Sequence, residues 1–207
     1  VPSELRDVSA RSGKEPVHVA FGVDAGYYRG MGVTITSVVE NNRGQDFIFH
    51  VFAFSITNDN RDKLAKLEKE LGVTVRLHLL DTATLDDFRQ FPCFSKHSLG
   101  TFIRLLIPSR LSGVTDRVLY LDADLLCFGD LSELLAIDLG DNIAAAVADE
   151  MDTTVKTQIP ALGLRHGHYF NAGACISMSG TGLPPTSSRP PWNRSPRWIC
   201  GSLTRTP

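Results

Sequence analysis

The sequence contains no C-x-x-C pair. Its four cysteines, Cys93, Cys127, Cys175 and Cys200, stand far apart. That spacing excludes a zinc knuckle and a redox dithiol, and leaves a reducing cytosol as the expected compartment. No apolar stretch is long enough to cross a bilayer; residues 47–54 form one of the longest and are interrupted by His50. Residues 1–16 are polar and charged, without the apolar centre of a signal peptide. An excess of charge of one sign is also lacking. The formal net charge is −2, so no strong field collects nucleic acid. A G-x-G-x-x-G loop is absent as well, which argues against a dinucleotide-binding Rossmann domain.

What is present is an ordinary globular composition over 207 residues, 43% hydrophobic and 21% charged, enough for one domain with a real core. Strand and helix patterns alternate along it. Residues 17–21 predict a strand leading to Asp24, and Met31, Ile35, Val38 and Val39 then recur at helical spacing. The 47–54 run is apolar on both faces, as in the middle of a covered parallel sheet. Asn58 is the expected N-cap of a helix carrying Leu64, Leu67 and Leu71, which Gly72 closes. Val73, Val75, Leu77 and Leu79 alternate with polar residues, predicting a strand with one wetter face. Short helices are expected at 85–91, 98–107 and 131–135, with Pro92 and Pro108 as stops. Further strands are expected at 117–121, 143–147 and 172–178. The pattern is that of an α/β domain with a mostly parallel sheet flanked by helices. Ligands on such sheets sit beyond the carboxyl ends of the strands.

Residues 180–207 differ in kind. They lack Asp, Glu, Lys, His, Ala, Val and Phe, yet hold 6 of the 11 prolines and both tryptophans. Neither helical nor alternating periodicity runs through them, so an irregular segment that packs little against the domain is expected.

The strongest chemical signal is Asp122-x-Asp124. Two carboxylates one residue apart at a strand end can both face one cation, and their oxygens suit a hard divalent ion such as Mg²⁺ or Mn²⁺. The same pair could do no more than cap a strand end. Asp24, Asp122, Asp124 and Asp149 all follow predicted strands, so four carboxylates are expected at one sheet edge. Asp24 opens a βα turn in which Gly26 permits close backbone approach, and Tyr27 or Tyr28 could stack on a base. An ordinary turn reads equally well there. Arg104, among apolar neighbours, needs an anionic partner such as a phosphate or Asp122, or an exit to solvent. Asn171 can both donate to and accept from a sugar hydroxyl, or serve as a turn residue. His166 and His168 have no third ligand nearby. His18, His50, His78 and His97 read as scattered structural residues.

Taken together, residues 17–27, 47–54, 98–106, 118–124 and 169–173 resemble glycosyltransferase family 8, in that family's order. These are retaining enzymes that include bacterial lipopolysaccharide glucosyl- and galactosyltransferases. The resemblance covers 17–179, leaving 1–16 as a flexible N-terminal segment and 180–207 as an irregular tail outside the family pattern. It implies a GT-A fold, Rossmann-like and mostly parallel, incomplete at the C-terminus. It further implies transfer of a hexose from a UDP-sugar to a lipopolysaccharide-core or other glycan acceptor, with Mn²⁺ or Mg²⁺ as cofactor and no nucleic-acid partner. The implied location is cytoplasmic, peripheral to the inner membrane.

By the same resemblance, Asp122 and Asp124 bind the metal and the diphosphate, and Asp24 and Tyr27 hold uridine. Arg104 and Asp149 contact the donor sugar or phosphates. Asn171 lies at the sugar near the reacting carbon, which makes Asn171 and Asp149 the expected catalytic residues. The family often has Asp-Asp-Asn-Tyr at the uridine loop; here the residues are Asp24, Ala25, Gly26 and Tyr27, which weakens two side-chain contacts to the nucleotide and leaves the first Asp in place. The family's later Asp-Gln-Asp segment, its metal-binding His and its basic, aromatic membrane-binding segment have no counterpart here. Back-translating 181–206 and shifting the reading frame permits an amphipathic helix followed by Asp-Gln-Asp. A chain truncated and frameshifted after about Ser179 is therefore expected. The alternative expectation is a UDP(-sugar)-binding fragment impaired in catalysis.

Overall fold

A computed structural model of the chain describes residues 15–90, 94, 98–148, 170–179 and 198–201. Strand β1 (Val17–Val23) is followed by helix α1 (Tyr28–Asn41), β2 (Phe47–Ala53), α2 (Asn58–Leu71) and β3 (Thr74–Leu79). A 3-10 segment at Thr82–Phe88 and two short helices, α3 (Leu99–Ile103) and α4 (Ile107–Arg110), precede β4 (Arg117–Leu121). Then come α5 (Ser132–Leu135), β5 (Ala144–Ala148), β6 (Phe170–Met178) and β7 (Trp198–Gly201). The strands form one sheet in the order β3-β2-β1-β4-β6-β5-β7. The pairs β1–β2, β1–β4, β2–β3 and β5–β7 are parallel, and β6 alone runs against its neighbours β4 and β5. This is the mostly parallel α/β sheet that the alternation predicts.

All seven residues of β2 are buried, because helices cover both faces of the sheet centre. On one face Phe21, Phe49, Val51 and Leu119 pack with Met31, Ile35 and Val38 of α1 and Leu64 of α2. On the other, Ala20, Phe52, Val118 and Tyr120 pack with Ile103, Ile107 and Leu111. Gly72 ends α2 at φ +66°, a left-handed turn that glycine adopts without strain.

Four local expectations need correction. The N-cap of α2 is Thr57, not Asn58: its side chain accepts from the Asn60 N–H at 3.2 Å. The helix expected at 85–91 is the 3-10 segment Thr82–Phe88, opened by Asp81, whose carboxylate accepts from the Ala83 N–H at 2.9 Å. The helix expected at 98–107 breaks after Ile103, and Pro108 sits in the first turn of α4 rather than ending a helix. A proline fits that turn because no backbone donor is needed there. Finally, the 180–207 stretch is not wholly irregular, since Trp198–Gly201 forms β7 and pairs in parallel with β5. Four residues need no periodicity to add to a sheet edge, and Trp and Ile favour extended backbone.

Three of the histidines are not scattered either. His18, His50 and His78 step diagonally across β1, β2 and β3. His18 Nδ1 lies 2.9 Å from His50 Nε2, and His50 Nδ1 lies 3.0 Å from His78 Nε2. Successive rings stack with centroids 5.2 Å apart, and Phe52 stacks on His78 at 4.3 Å. Neutral imidazoles complete such a chain only when all three carry the proton on the same ring nitrogen, so that the central His50 donates once and accepts once and each end ring makes one bond. Burial, reinforced by the nearby Arg76 charge, lowers all three. In the middle, His50 is brought down to about 3 by burial, with its two histidine neighbours adding to the effect.

Two features of this architecture place the site. From β1 the chain builds outward to β2 and β3, then returns to lay β4 on β1's other side. The carboxyl ends of β1 and β4 therefore flank a topological switch point, where open α/β sheets form their ligand crevice. Because β6 is antiparallel, its first residues lie beside the last of β4. Leu121 pairs with Ala174, and the Asp122 N–H extends the ladder to the Gly173 C=O at 2.7 Å.

Candidate active site

A cleft of about 140 Å³ opens at that switch point, and its lining includes Asp24, Tyr27, Arg104, Tyr120, Asp122 and Asp124. Asp24 follows β1, and its carboxylate accepts from the Ser98 hydroxyl and, at 3.4 Å, from the Gly26 N–H. Ser98 also N-caps α3, accepting from the Gly100 N–H at 3.1 Å. Nothing in the sequence pattern singled out Ser98. Its place before a helix start was the one signal that could have found it.

The two aromatic candidates separate clearly. Tyr28 is buried and donates to the Ser55 C=O at 2.8 Å, so it belongs to the core. Tyr27 is 47% exposed on the cleft. Helix α3 approaches β1 closely because residue 22 is glycine. A Cβ there would meet Ile103 Cβ at 2.9 Å and the Gly100 C=O at 3.0 Å. That close seating sets Arg104, at the end of α3, over the cleft.

Arg104 takes Asp122 as its anionic partner. Nη2 donates to Asp122 Oδ1 at 2.9 Å and Nη1 to the Ala172 C=O at 2.7 Å. The Tyr120 hydroxyl donates to the same Oδ1 at 2.6 Å, and the guanidinium stacks over the Tyr120 ring at 4.9 Å. Burial, with Asp122 adding to it, drives the Tyr120 phenol far above its ordinary value, so it remains a donor. The neighbouring Cys175 thiol is pushed up to about 11 for the same reasons, which leaves it a poor nucleophile. In the sequence Tyr120 stands only as a buried strand residue. Two-residue periodicity puts it on the same strand face as Asp122, and that was the available signal.

Asp124 is exposed on the cleft rim. The segment after it is strapped to α1 by polar side chains. Thr34 donates to the Leu125 C=O at 2.7 Å, and Ser37 accepts from the Cys127 N–H at 3.0 Å. Asn41 donates to the Cys127 C=O at 2.9 Å, and Asn42 accepts from the Leu131 N–H at 2.6 Å. Gly30 lets the helix come this near: a Cβ there would lie 2.8 Å from the Ala123 C=O.

Asn171 does not line the cleft itself. It stands exposed at the start of β6, where its Oδ1 accepts from the Gly173 N–H at 2.8 Å. Gly173 is sterically necessary, because a Cβ would meet Asn171 Oδ1 at 2.9 Å and Asp122 Oδ2 at 3.0 Å. The structure thus gathers Asp24, Tyr27, Arg104, Asp122 and Asp124 at one cleft with Asn171 adjoining. Asp149, Tyr169, His97, His166 and His168 lie outside the described residues. Asp24 does not join the other carboxylates as a ligand cluster, since Ser98 and Gly26 hold it. Among the described residues no three His, Cys, Asp or Glu side chains converge as a metal-binding group.

A mostly parallel sheet with a carboxylate-edged cleft at its switch point is the GT-A glycosyltransferase architecture. The solved structure of the galactosyltransferase LgtC, in complex with donor and acceptor sugar analogs, superposes with a TM-score of 0.66 at 30% identity. That match covers 78% of this chain and 57% of LgtC. Residues 18–177 match the model of glycosyl transferase family 8, and the chain belongs to this family. A lipopolysaccharide 1,2-glucosyltransferase of Escherichia coli K12 is 37% identical over 161 residues, 77% of this chain and 46% of that protein. A lipopolysaccharide 1,3-galactosyltransferase of Salmonella typhimurium is 33% identical over 166 residues, 78% of this chain and 48% of that protein. The chain spans about half the length of the curated relatives it matches.

Proposed function

We propose that this domain binds a UDP-sugar in the β1/β4 cleft and supports retaining transfer of its hexose to a lipopolysaccharide-core or related glycan acceptor. The observation that carries the reading is the placement of Asp122 and Asp124 on one side of the cleft with Asp24 and Tyr27 on the other. The names of the glucosyl- and galactosyltransferase relatives support the hexose and the acceptor class. A cytoplasmic setting, peripheral to the inner membrane, goes with this reading. Among the described residues no helix is long and apolar enough to cross a membrane.

The donor set fits a hard divalent cation. Asp122 Oδ2 accepts no hydrogen bond among the described residues, and Asp124 is exposed beside it. Two carboxylates that leave the remaining positions to diphosphate and water oxygens suit Mg²⁺ or Mn²⁺. Asp122 and Asp124 would hold it, and when bound the cation supplies Lewis-acid stabilisation of charge on the departing diphosphate.

The chain's own residues do the rest. Asp24, held by Ser98 and Gly26, accepts from uridine, and the exposed Tyr27 ring offers the base a face. Arg104 sits at the diphosphate side of the cleft as a fixed positive charge. With Oδ1 of Asn171 taken by the Gly173 N–H, its Nδ2 is the group left to donate to a sugar hydroxyl. Asp149 follows β5 in sequence and is assigned to the sugar on family resemblance. The Cys175 thiol beside Asp122 is held protonated by burial and is a poor nucleophile. The acceptor hydroxyl then attacks from the face UDP leaves, through an oxocarbenium-like state, and the anomeric configuration is retained.

Titration calorimetry with UDP tests this reading. UDP binding is expected to tighten in Mn²⁺ and to weaken at least tenfold in Asp122→Ala. UDP affinity indifferent to both would overturn the assignment. Hydrolysis of UDP-glucose or UDP-galactose above a metal-only blank then separates turnover from binding without catalysis.

A further inference from the structure

We propose that Tyr120 is a positioning residue for Asp122: its hydroxyl and the Arg104 guanidinium load one carboxylate oxygen, Oδ1, and so reserve Oδ2 for a divalent cation. The inference rests on the reading of Asp122 as a cation ligand.

Three contacts fix this carboxylate. Tyr120 and Arg104 donate to Oδ1 at 2.6 and 2.9 Å. Oδ2 lies over the bare Cα of Gly173, where even a methyl group would approach to 3.0 Å. Backbone pairing of Asp122 to Gly173 at 2.7 Å holds both residues in register. A carboxylate has two oxygens and about four lone-pair sites. Donors divided between the oxygens would leave only one lone-pair site open on each. Donors stacked on one oxygen leave the other exposed with its rotamer locked, as the outer partners of metal ligands do elsewhere.

Tyr120 is the part of this arrangement that is only a positioner. It is 3% exposed, and its ring also carries the guanidinium at 4.9 Å. Arg104 brings a charge to the cleft, whereas Tyr120 brings one hydrogen bond and a surface for Arg104 to rest on. Removing the hydroxyl alone leaves Arg104 as the single side-chain donor to Oδ1 and loosens the Asp122 rotamer, without altering charge or volume appreciably.

The test is Tyr120→Phe, which keeps the ring and the stacking. Mn²⁺ affinity is read by electron paramagnetic resonance of the free ion at saturating UDP, and UDP affinity is read separately in chelator. The expected result is a Mn²⁺ dissociation constant raised about tenfold, with metal-free UDP affinity unchanged and the variant still fully folded at the assay temperature. Cys175→Ala, a packing change beside Asp122 that leaves the hydrogen bond intact, is expected to keep wild-type Mn²⁺ affinity. Mn²⁺ binding lost in Asp122→Asn but retained in Tyr120→Phe overturns the positioning role and leaves the proposed function standing. Mn²⁺ binding that neither variant alters overturns both. An equal loss in Tyr120→Phe and Cys175→Ala also overturns the positioning role, because it makes the effect one of packing.

Discussion

Arg104 and Asp122 form an ion pair of 2.9 Å between the end of α3 and the end of β4, with side chains 21% and 30% exposed. The other ion pairs among the described residues are local, three or four residues apart on exposed surface, and such pairs contribute little. This one joins a helix to the sheet across 18 residues and reaches Ala172 on β6 as well. It ties together the elements that meet at the cleft.

Arg104→Ala is accordingly expected to cost about 2 kcal/mol, the range of a charge-assisted hydrogen bond lost in a half-buried setting. Arg104→Lys restores the charge but not the forked geometry that serves Asp122 and Ala172 together, so it should recover only part of the loss. Urea denaturation of the two variants checks both figures. Equal stability of Arg104→Ala and wild type would show that the pair is not structural.

At Gly173 the expected effect falls on the site more than on the fold. Alanine there must displace Asn171 Oδ1 or Asp122 Oδ2, each about 3 Å from the added carbon. A stability loss of about 1–2 kcal/mol, the ordinary cost of overpacking, should accompany a loss of metal-dependent UDP binding of tenfold or more. Denaturation and calorimetry on one Gly173→Ala preparation separate the two. Intact UDP–Mn²⁺ binding would mean that Asp122 need not hold its present position.

The histidine chain predicts acid sensitivity. Unfolded, His50 takes a proton near 6.5; folded, it resists protonation down to about 3. The unfolded state therefore binds more protons between these values. The stabilising contribution is complete above pH 6.5 and is lost as pH falls toward 3. From pH 6.5 to 5 the loss from His50 alone is about 2 kcal/mol. Urea midpoints measured across that window should fall in wild type and fall less steeply in His50→Gln, where His18 and His78 still contribute. A slope unchanged by the substitution would assign the acid sensitivity to other groups.

Much of this was legible in the sequence because it depends on local pattern. The continuous apolar run of β2 announced a strand covered on both faces, and the buried Val118 to Leu121 run delivered Asp122 and Asp124 to a strand end. Gly72 marked a helix stop. What escaped depends on register between distant segments. The histidine chain exists because Ala20 pairs with His50 and Phe52 with His78, offsets that no single strand reveals. Ser98 reaches Asp24 across 74 residues of chain. The break between α3 and α4 escaped for a different reason: a proline is read locally as a stop but is equally at home in a first turn. Strand β7 escaped because its four residues carry too little pattern to distinguish pairing from chance.

The polar strap between α1 and the segment after Asp124 has a thermodynamic consequence. Thr34, Ser37, Asn41 and Asn42 hold the backbone at Leu125, Cys127 and Leu131 in the ligand-free protein. The conformational entropy of that segment is given up when the chain folds, not when a ligand arrives. Association at this rim is docking onto a surface already set, so its heat-capacity change should report desolvation and contact, without the large component that ordering a loop would add.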